Sequence, residues 1–206
     1  AYLSVGFAVA GIHAFKLLRE PDNAFHRAAL GIALAVGTVA ALAMPLTGHF
    51  TGESVAHSQP LKLAAMEAHW HTEEGAPFLI GGIPDPATET TCCAIEIPGL
   101  LSFIAYGDPA AEVKGITEWP ADERPPVPVV HYAFQLMIAI GGWLIATGLL
   151  GAALGLARRG LPIQRPYLWL LVASAPLGTI GVQAGWVVTE VGRQPWVIQG
   201  LLRTED

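Results

Sequence analysis

A carboxylate and a cation close the last long apolar run of the chain. No Lys, Arg, Asp or Glu occurs between Arg165 and Glu190, and Arg193 follows within one helical turn. An ionisable group at membrane depth is costly and points to a functional site. Trp186 would lie one turn before Glu190 on the same helix face. The pattern predicts an oxygen-donor ligand or a proton-handling carboxylate beside a flat cofactor, or else a carboxylate that only ends a helix at the lipid headgroups.

Met137 is a second candidate, near the start of another apolar run. A thioether can be an axial haem ligand, paired with histidine in low-spin cytochromes. Methionine is also common packing filler in helices. Nothing in the neighbouring residues decides between these two roles.

Lys62 and Glu67 lie on a short predicted helix, where Ser58 can cap and Pro60 suits the first turn. Five residues correspond to about 140° around an ideal helix, so the two side chains should not pair directly. They could flank a polar ligand from two sides. The alternative is a solvated amphipathic helix.

Four apolar segments must position these residues. A membrane-spanning helix needs roughly 20 apolar residues, and the uncharged runs predict four such helices, the first of them cut short. They extend to about Leu18, from Ala28 to Leu46, from Val129 to Ala157, and from Pro166 to Thr189. Pro176 should kink the last one. The predicted fold is an all-α polytopic transmembrane helix bundle with a long extracytoplasmic loop.

Charge placement predicts the orientation. The two short connections carry the basic residues Lys16, Arg19 and Arg27, and Arg158, Arg159 and Arg165, so both should face the cytoplasm. Residues 47–128 hold twelve acidic residues against three basic ones, which places them outside and argues against a nucleic-acid partner. Three regions follow: a transmembrane helix pair (1–46), an extracytoplasmic loop (47–128) and a second helix pair with the Glu190 motif (129–206).

Local features of the loop and of the last motif give further expectations. Residues 81–86, Gly-Gly-Ile-Pro-Asp-Pro, have turn chemistry. Cys92 and Cys93 are adjacent, where a disulfide would be strained, and are expected to be small, partly buried side chains. Gly192 would permit a sharp backbone turn after Glu190. The histidines near the outer interface lack the spacing of a zinc site.

Several motifs, in a consistent order, resemble subunit I of the cytochrome bd-type quinol oxidases. Residues 185–186 and 190–196, Gly-Trp and Glu-Val-Gly-Arg-Gln-Pro-Trp, resemble the region that contains the family's GRQPW motif. Residues 62–70 resemble its KLAA-x-E-A-x-W helix, residues 82–85 its GIPD, and residues 132–137 the segment that carries a haem-ligating methionine. The resemblance covers essentially the whole chain.

The resemblance implies an enzyme that oxidises ubiquinol or menaquinol and reduces O₂ to water in the bacterial cytoplasmic (inner) membrane, beside an oxidase subunit II and membrane lipid. Its cofactors would be haem b558, haem b595 and haem d, or a b-type haem in place of haem d. By resemblance, Met137 would ligate the haem b558 iron and Glu190 the haem b595 iron, with Trp186 and Arg193 beside the haems. Lys62 and Glu67 would bind quinol, and Glu67 would accept its proton.

The chain departs from the family pattern in two respects. Gln135 stands where the family has an arginine two residues before the methionine, so a cation that would favour the reduced haem is missing. Ala1 opens in mid-helix without a cleavage site, so we expect an internal fragment that does not assemble the oxidase alone. The histidine that pairs with the methionine should lie a few residues upstream. The competing interpretation is a non-redox transporter subunit with an intramembrane Glu190–Arg193 site.

Overall fold

Helices form most of the chain, as predicted, in a computed structural model that describes residues 1–198 and 201–204. Residues 199–200 and 205–206 of the predicted region 129–206 lie outside the described part. The α-helices in chain order are α1 (Tyr2–Leu17), α2 (Ala24–Ser58), α3 (Pro60–Glu67), α4 (Leu100–Tyr106), α5 (Val127–Arg158), α6 (Arg165–Ser174) and α7 (Leu177–Val191).

Within the described residues, three helical segments are long and apolar enough to cross a membrane. They are Ala24–Ser58, Val127–Arg158 and Arg165–Val191, while α1 is apolar but shorter. The kink predicted at Pro176 is confirmed, because α6 ends at Ser174 and α7 begins at Leu177. Proline has no N–H to continue the helical hydrogen bonds. Pro45, by contrast, lies inside α2, which continues to Ser58 and not to the predicted Leu46.

The all-α prediction was wrong in part, because both the loop region (47–128) and the residues after α7 contain strands. The strands are β1 (Glu73–Glu74), β2 (Phe78–Asp85), β3 (Thr90–Ile97), β4 (Glu112–Val113), β5 (Trp196–Ile198) and β6 (Leu202–Arg203). They pair antiparallel as β1 with β4, β2 with β3, and β5 with β6. With α3 and α4, the described residues also contain more helices than the four predicted.

The turn of the β2–β3 hairpin lies later than the glycines suggested. Gly81 and Gly82 are inside β2 with φ of +71° and +106°, angles that glycine adopts without steric cost. The reversal follows Asp85, whose carboxylate accepts hydrogen bonds from the Ala87 N–H and the Thr88 hydroxyl, both at 2.9 Å. An aspartate that binds the backbone two residues on is a common turn former.

Two further local predictions were wrong. Ser58 belongs to the end of α2, where its hydroxyl donates to the Ser54 carbonyl, and Gln59 is the N-cap of α3. The thiols of Cys92 and Cys93 are free and exposed on β3, not partly buried. Their exposure follows from their place on the β2–β3 hairpin, which sequence spacing does not reveal.

The chain forms two compact units. The first comprises Ala1–Leu46 and Met137–Gln183, with a core that includes the fully buried Phe7, Leu30 and Leu171. Helices α1 and α2 approach closely at Gly6, where an added Cβ would lie 2.6 Å from the Gly37 Cα. Small residues permit such close backbone contact in membrane bundles.

The second unit comprises Thr47–Leu136 and Ala184–Asp206. Its core brings residues of α2, α3, α4 and β4 together, including Ala56, Leu63, Leu101 and Val113. The loop predicted from sequence is therefore a folded element with its own apolar core. This core fixes α3, the helix that carries Lys62 and Glu67.

Candidate functional site

Helix α3 buries both of its predicted site residues. Lys62 is 9% exposed and Glu67 is 2% exposed, which contradicts the alternative of a solvated amphipathic helix. The helix starts with Pro60 at its first position and ends at Ala68, which has a left-handed φ of +50°. Buried charged groups are rare unless they are paired or functional. The burial of two such residues on one eight-residue helix makes α3 a candidate functional element.

Glu67 lies against strand β2. The Leu79 N–H donates a hydrogen bond to its carboxyl group, but burial has the larger effect and raises the pKa of Glu67 to about 8. Its Oε2 atom has no hydrogen-bond partner within the described part of the chain. A carboxyl group with such a pKa holds its proton at neutral pH and can exchange it near physiological pH.

Lys62 faces a polar cavity of about 260 Å³. The lining includes Gln59, Lys62, Arg193, Gln194 and Trp196. Burial lowers the pKa of Lys62, and the nearby Arg193 charge also lowers it, while Glu190 acts in the opposite direction. The cavity therefore presents two cations, and Glu190 is close enough to influence one of them.

Gly192 allows this close arrangement. An added Cβ would lie 3.3 Å from the Lys62 Cγ and 3.3 Å from Val130, and would clash with the Val188 carbonyl oxygen. The turn predicted at Gly192 is confirmed, because residues 192–195 form turns directly after α7, but Gly192 adopts it without a left-handed φ. Glycine is required here because there is no room for a side chain.

Glu190 and Arg193 form the predicted ion pair at the end of α7. The Arg193 Nη2 donates to the Glu190 Oε2 at 2.5 Å, which confirms the pairing expected from the spacing. The Arg193 Nε is buried and has no partner in the described residues, so this guanidinium can bind a further acceptor. Trp186, one turn before Glu190, is 69% exposed and offers an uncovered ring face.

His131 and Gln135 were not predicted as site residues, yet both bind the backbone around Glu67. The His131 ring lies 2.9 Å from the Met66 carbonyl oxygen and 3.0 Å from that of Gly81. The Gln135 amide donates to the Leu79 carbonyl oxygen at 2.8 Å and accepts from the Gly81 N–H at 3.0 Å. These partners are 50 or more residues away in sequence, and no local pattern indicates them.

The predicted site residues are distributed over the two compact units. Lys62, Glu67, Trp186, Glu190 and Arg193 all belong to the second unit, whereas Met137 opens the α5 portion of the first. Within the second unit, Lys62 and Arg193 line one cavity, and Glu67 does not line it. Met137 is partly buried, and its role as a ligand stays a prediction.

Comparison with known proteins identifies the family. The profile of the family described as Cytochrome bd terminal oxidase subunit I matches residues 1–206. A Bacillus subtilis (strain 168) protein provisionally named cytochrome bd menaquinol oxidase subunit I is 38% identical over 213 residues, which cover 100% of this chain and 47% of that protein. Cytochrome bd ubiquinol oxidase subunit 1 of the same organism is 33% identical over 208 residues, covering 96% of this chain and 44% of that protein.

A solved structure agrees with the sequence relatives. The bd oxidase from Geobacillus thermodenitrificans matches with a TM-score of 0.87 and 35% identity, over 100% of this chain and 47% of that chain. The chain thus spans about half the length of the relatives it matches. Together with the three apolar helices, these matches show that the chain is an integral membrane protein that belongs to the cytochrome bd terminal oxidase subunit I family.

Proposed function

We propose that the chain forms the quinol-binding part, and part of the haem sites, of the catalytic subunit of a quinol:O₂ oxidoreductase. The observation that carries this proposal is the buried helix α3, which holds a cation and a proton-retaining carboxyl group five residues apart. Family membership supports this function over that of a transporter subunit. Because the chain spans about half of its relatives, the remainder of the subunit must supply the other ligands.

The chemistry of quinol oxidation explains why α3 needs both residues. Oxidising a quinol to a quinone releases two electrons and two protons, so the site needs a proton acceptor. An effective acceptor has a pKa near the operating pH, and burial gives Glu67 a pKa of about 8. Lys62 donates hydrogen bonds to a quinone oxygen, and its lowered pKa makes it a readily exchanging donor. The substrate is a ubiquinol or a menaquinol, and relatives are named for each.

The residues at the end of α7 fit a haem group. A haem has a flat apolar ring and two carboxylates. The uncovered ring of Trp186 suits the flat face, and the partnerless Nε of Arg193 suits a carboxylate. Glu190 would hold the haem b595 iron and Met137 the haem b558 iron, with a d-type or b-type haem completing the set. When bound, these haems supply one-electron transfer and O₂ reduction.

The proposed orientation follows from charge. Residues 47–128 carry most of the acidic side chains and the two short connections carry the basic ones, so the folded loop faces the outer side of the bacterial cytoplasmic membrane. Quinol protons are then released outside. Oxidase subunit II and membrane lipid are the partners of the apolar helix faces.

The decisive experiment replaces Glu67 in the complete oxidase. Glu67→Gln keeps the size of the side chain and its capacity for hydrogen bonds but removes the proton acceptor, so quinol turnover should fall about 100-fold while haem spectra are unchanged. The matched control is Glu74→Gln, an exposed carboxylate on β1 of the same region, which should retain normal turnover. Normal turnover in Glu67→Gln would refute the proposed role.

A further inference from the structure

His131 connects helix α3, which carries Glu67, with strand β2, which binds the Glu67 carboxyl group. It is fully buried on α5. Its Nδ1 lies 2.9 Å from the carbonyl oxygen of Met66, the residue before Glu67. Its Nε2 lies 3.0 Å from the carbonyl oxygen of Gly81 on β2. One imidazole ring thus bridges α3 and β2.

The chemistry of the two partners determines the protonation state that satisfies them. A carbonyl oxygen only accepts hydrogen bonds, and a neutral imidazole has a single N–H. A neutral His131 therefore donates a hydrogen bond to one carbonyl oxygen and points the lone pair of its other nitrogen toward the second carbonyl oxygen. Only the imidazolium, with two N–H groups, donates to both Met66 and Gly81.

The end of α3 favours the same charged form. The Met66 carbonyl lies in the last turn of the helix, where carbonyl groups lack partners within the helix. The negative end of the helix dipole stabilises a cation at this position. The position of His131 Nδ1 at the carboxyl-terminal end of α3 therefore also favours the imidazolium form.

Strand β2 links this bridge to Glu67. The Leu79 N–H donates to the Glu67 carboxyl group, and the Gln135 amide binds the Leu79 carbonyl and the Gly81 N–H. His131 lies within hydrogen-bond distance of the next backbone group on this edge of β2, the Gly81 carbonyl oxygen. Release of Gly81 would loosen the edge of β2 that orients the Glu67 carboxyl group.

We propose that His131 is a proton-sensitive positioning residue for Glu67: its imidazolium clamps α3 to β2, and its neutral form releases one of the two segments. The proposal rests on the proposed role of Glu67 in quinol oxidation. The titratable groups on the elements that pack against His131 are Lys62 and Glu67 on α3, and Asp85 at the end of β2; Tyr132 is its neighbour on α5. Among these groups, Glu67 directly follows Met66, which His131 contacts. The His131 bridge therefore acts on the end of α3 that carries the Glu67 carboxyl group.

Amide hydrogen exchange of the complete oxidase tests the clamp without any quinol. The protection of peptides covering residues 80–83, relative to an unstructured peptide, should fall about fivefold as the pH rises from about 5 to about 7, below the pKa of Glu67. In His131→Gln, which cannot ionise, protection should be low and independent of pH. Constant protection in the wild type over this range would overturn the proposal, and this result does not depend on whether the variant folds.

Turnover supplies the second measurement. The KM for quinol should rise with pH in the wild type, and His131→Gln should show a raised KM that no longer changes with pH, with haem spectra unchanged. The control Tyr132→Phe, at a half-exposed neighbouring position, should retain the wild-type exchange and KM profiles. A wild-type pH dependence of exchange in His131→Gln would contradict the clamp. If exchange behaves as expected but Glu67→Gln retains turnover, the clamp stands and the proposed function of Glu67 fails.

Discussion

Burial raises the pKa of the Glu67 carboxyl group into the range that its proposed role as a proton acceptor requires. Its carboxyl group receives one hydrogen bond from the Leu79 N–H, which favours the charged form. The loss of solvation favours the neutral form more strongly, so the pKa rises from 4.5 to about 8. Lys62, the basic residue of the same helix, lines a cavity that Glu67 does not line. The two side chains do not form an ion pair.

The pH dependence of quinol oxidation follows from this shift. Because the pKa of Glu67 is about 8, only the small deprotonated fraction can accept a proton at lower pH. The kcat of the complete oxidase should therefore rise about tenfold per pH unit below about pH 8 and level off above it. Steady-state kinetics at saturating quinol measure this profile. A flat profile, or the same profile in Glu67→Gln, would show that another group accepts the proton.

At the scale of elements, the sequence predicted the apolar helices well and the loop poorly. The helices depend on local properties: α5 was predicted within two residues at its start and one at its end, and Pro176 breaks the last span. The extension of α2 past Pro45 was missed because a proline ends some helices and only kinks others, and the packing of the later part of α2 in the core of the second unit is not recorded in the local sequence.

The hairpin and the clamp could not be predicted, for a physical reason. Gly81 and Gly82 have the composition of a turn, but they lie in β2 because α5 and Glu67 bind the backbone of its outer edge. His131 and Gln135 contact partners 50 to 65 residues away. Such contacts depend on the tertiary fold, which local periodicity does not record.

The close contact between α1 and α2 gives a prediction at the element scale. Gly6→Ala would place a Cβ 2.6 Å from the Gly37 Cα, so the helices must move apart at a cost of about 1–3 kcal/mol. Gly141→Ala is the matched control, because a Cβ there meets nothing within 4 Å, and better helix propensity should make it neutral or slightly stabilising. Thermal inactivation of the complete oxidase measures both. Equal half-lives for the two variants would show that the contact is not tight.

At the scale of the whole molecule, the chain is two structural units with different parts of the proposed chemistry. The first unit is a helical assembly that carries Met137, and the second contains the folded loop with Lys62, Glu67 and the Glu190–Arg193 pair. The chain spans about half the length of its relatives, and we propose that the haem sites also use residues outside this span. Tests of haem binding must therefore use the complete protein.

Met137 provides the clearest such test. Met137→Leu exchanges a thioether for a side chain of similar size and hydrophobicity, so packing of α5 should be nearly preserved while the proposed iron ligand is lost. Reduced-minus-oxidised absorption spectra of the complete protein should then lack the low-spin haem signal, with the protein still in the membrane. Met44→Leu makes the same chemical change on α2 and should leave the spectrum intact. An unchanged spectrum in Met137→Leu would refute the ligand assignment, and wild-type protein without haem bands would refute the oxidase function itself.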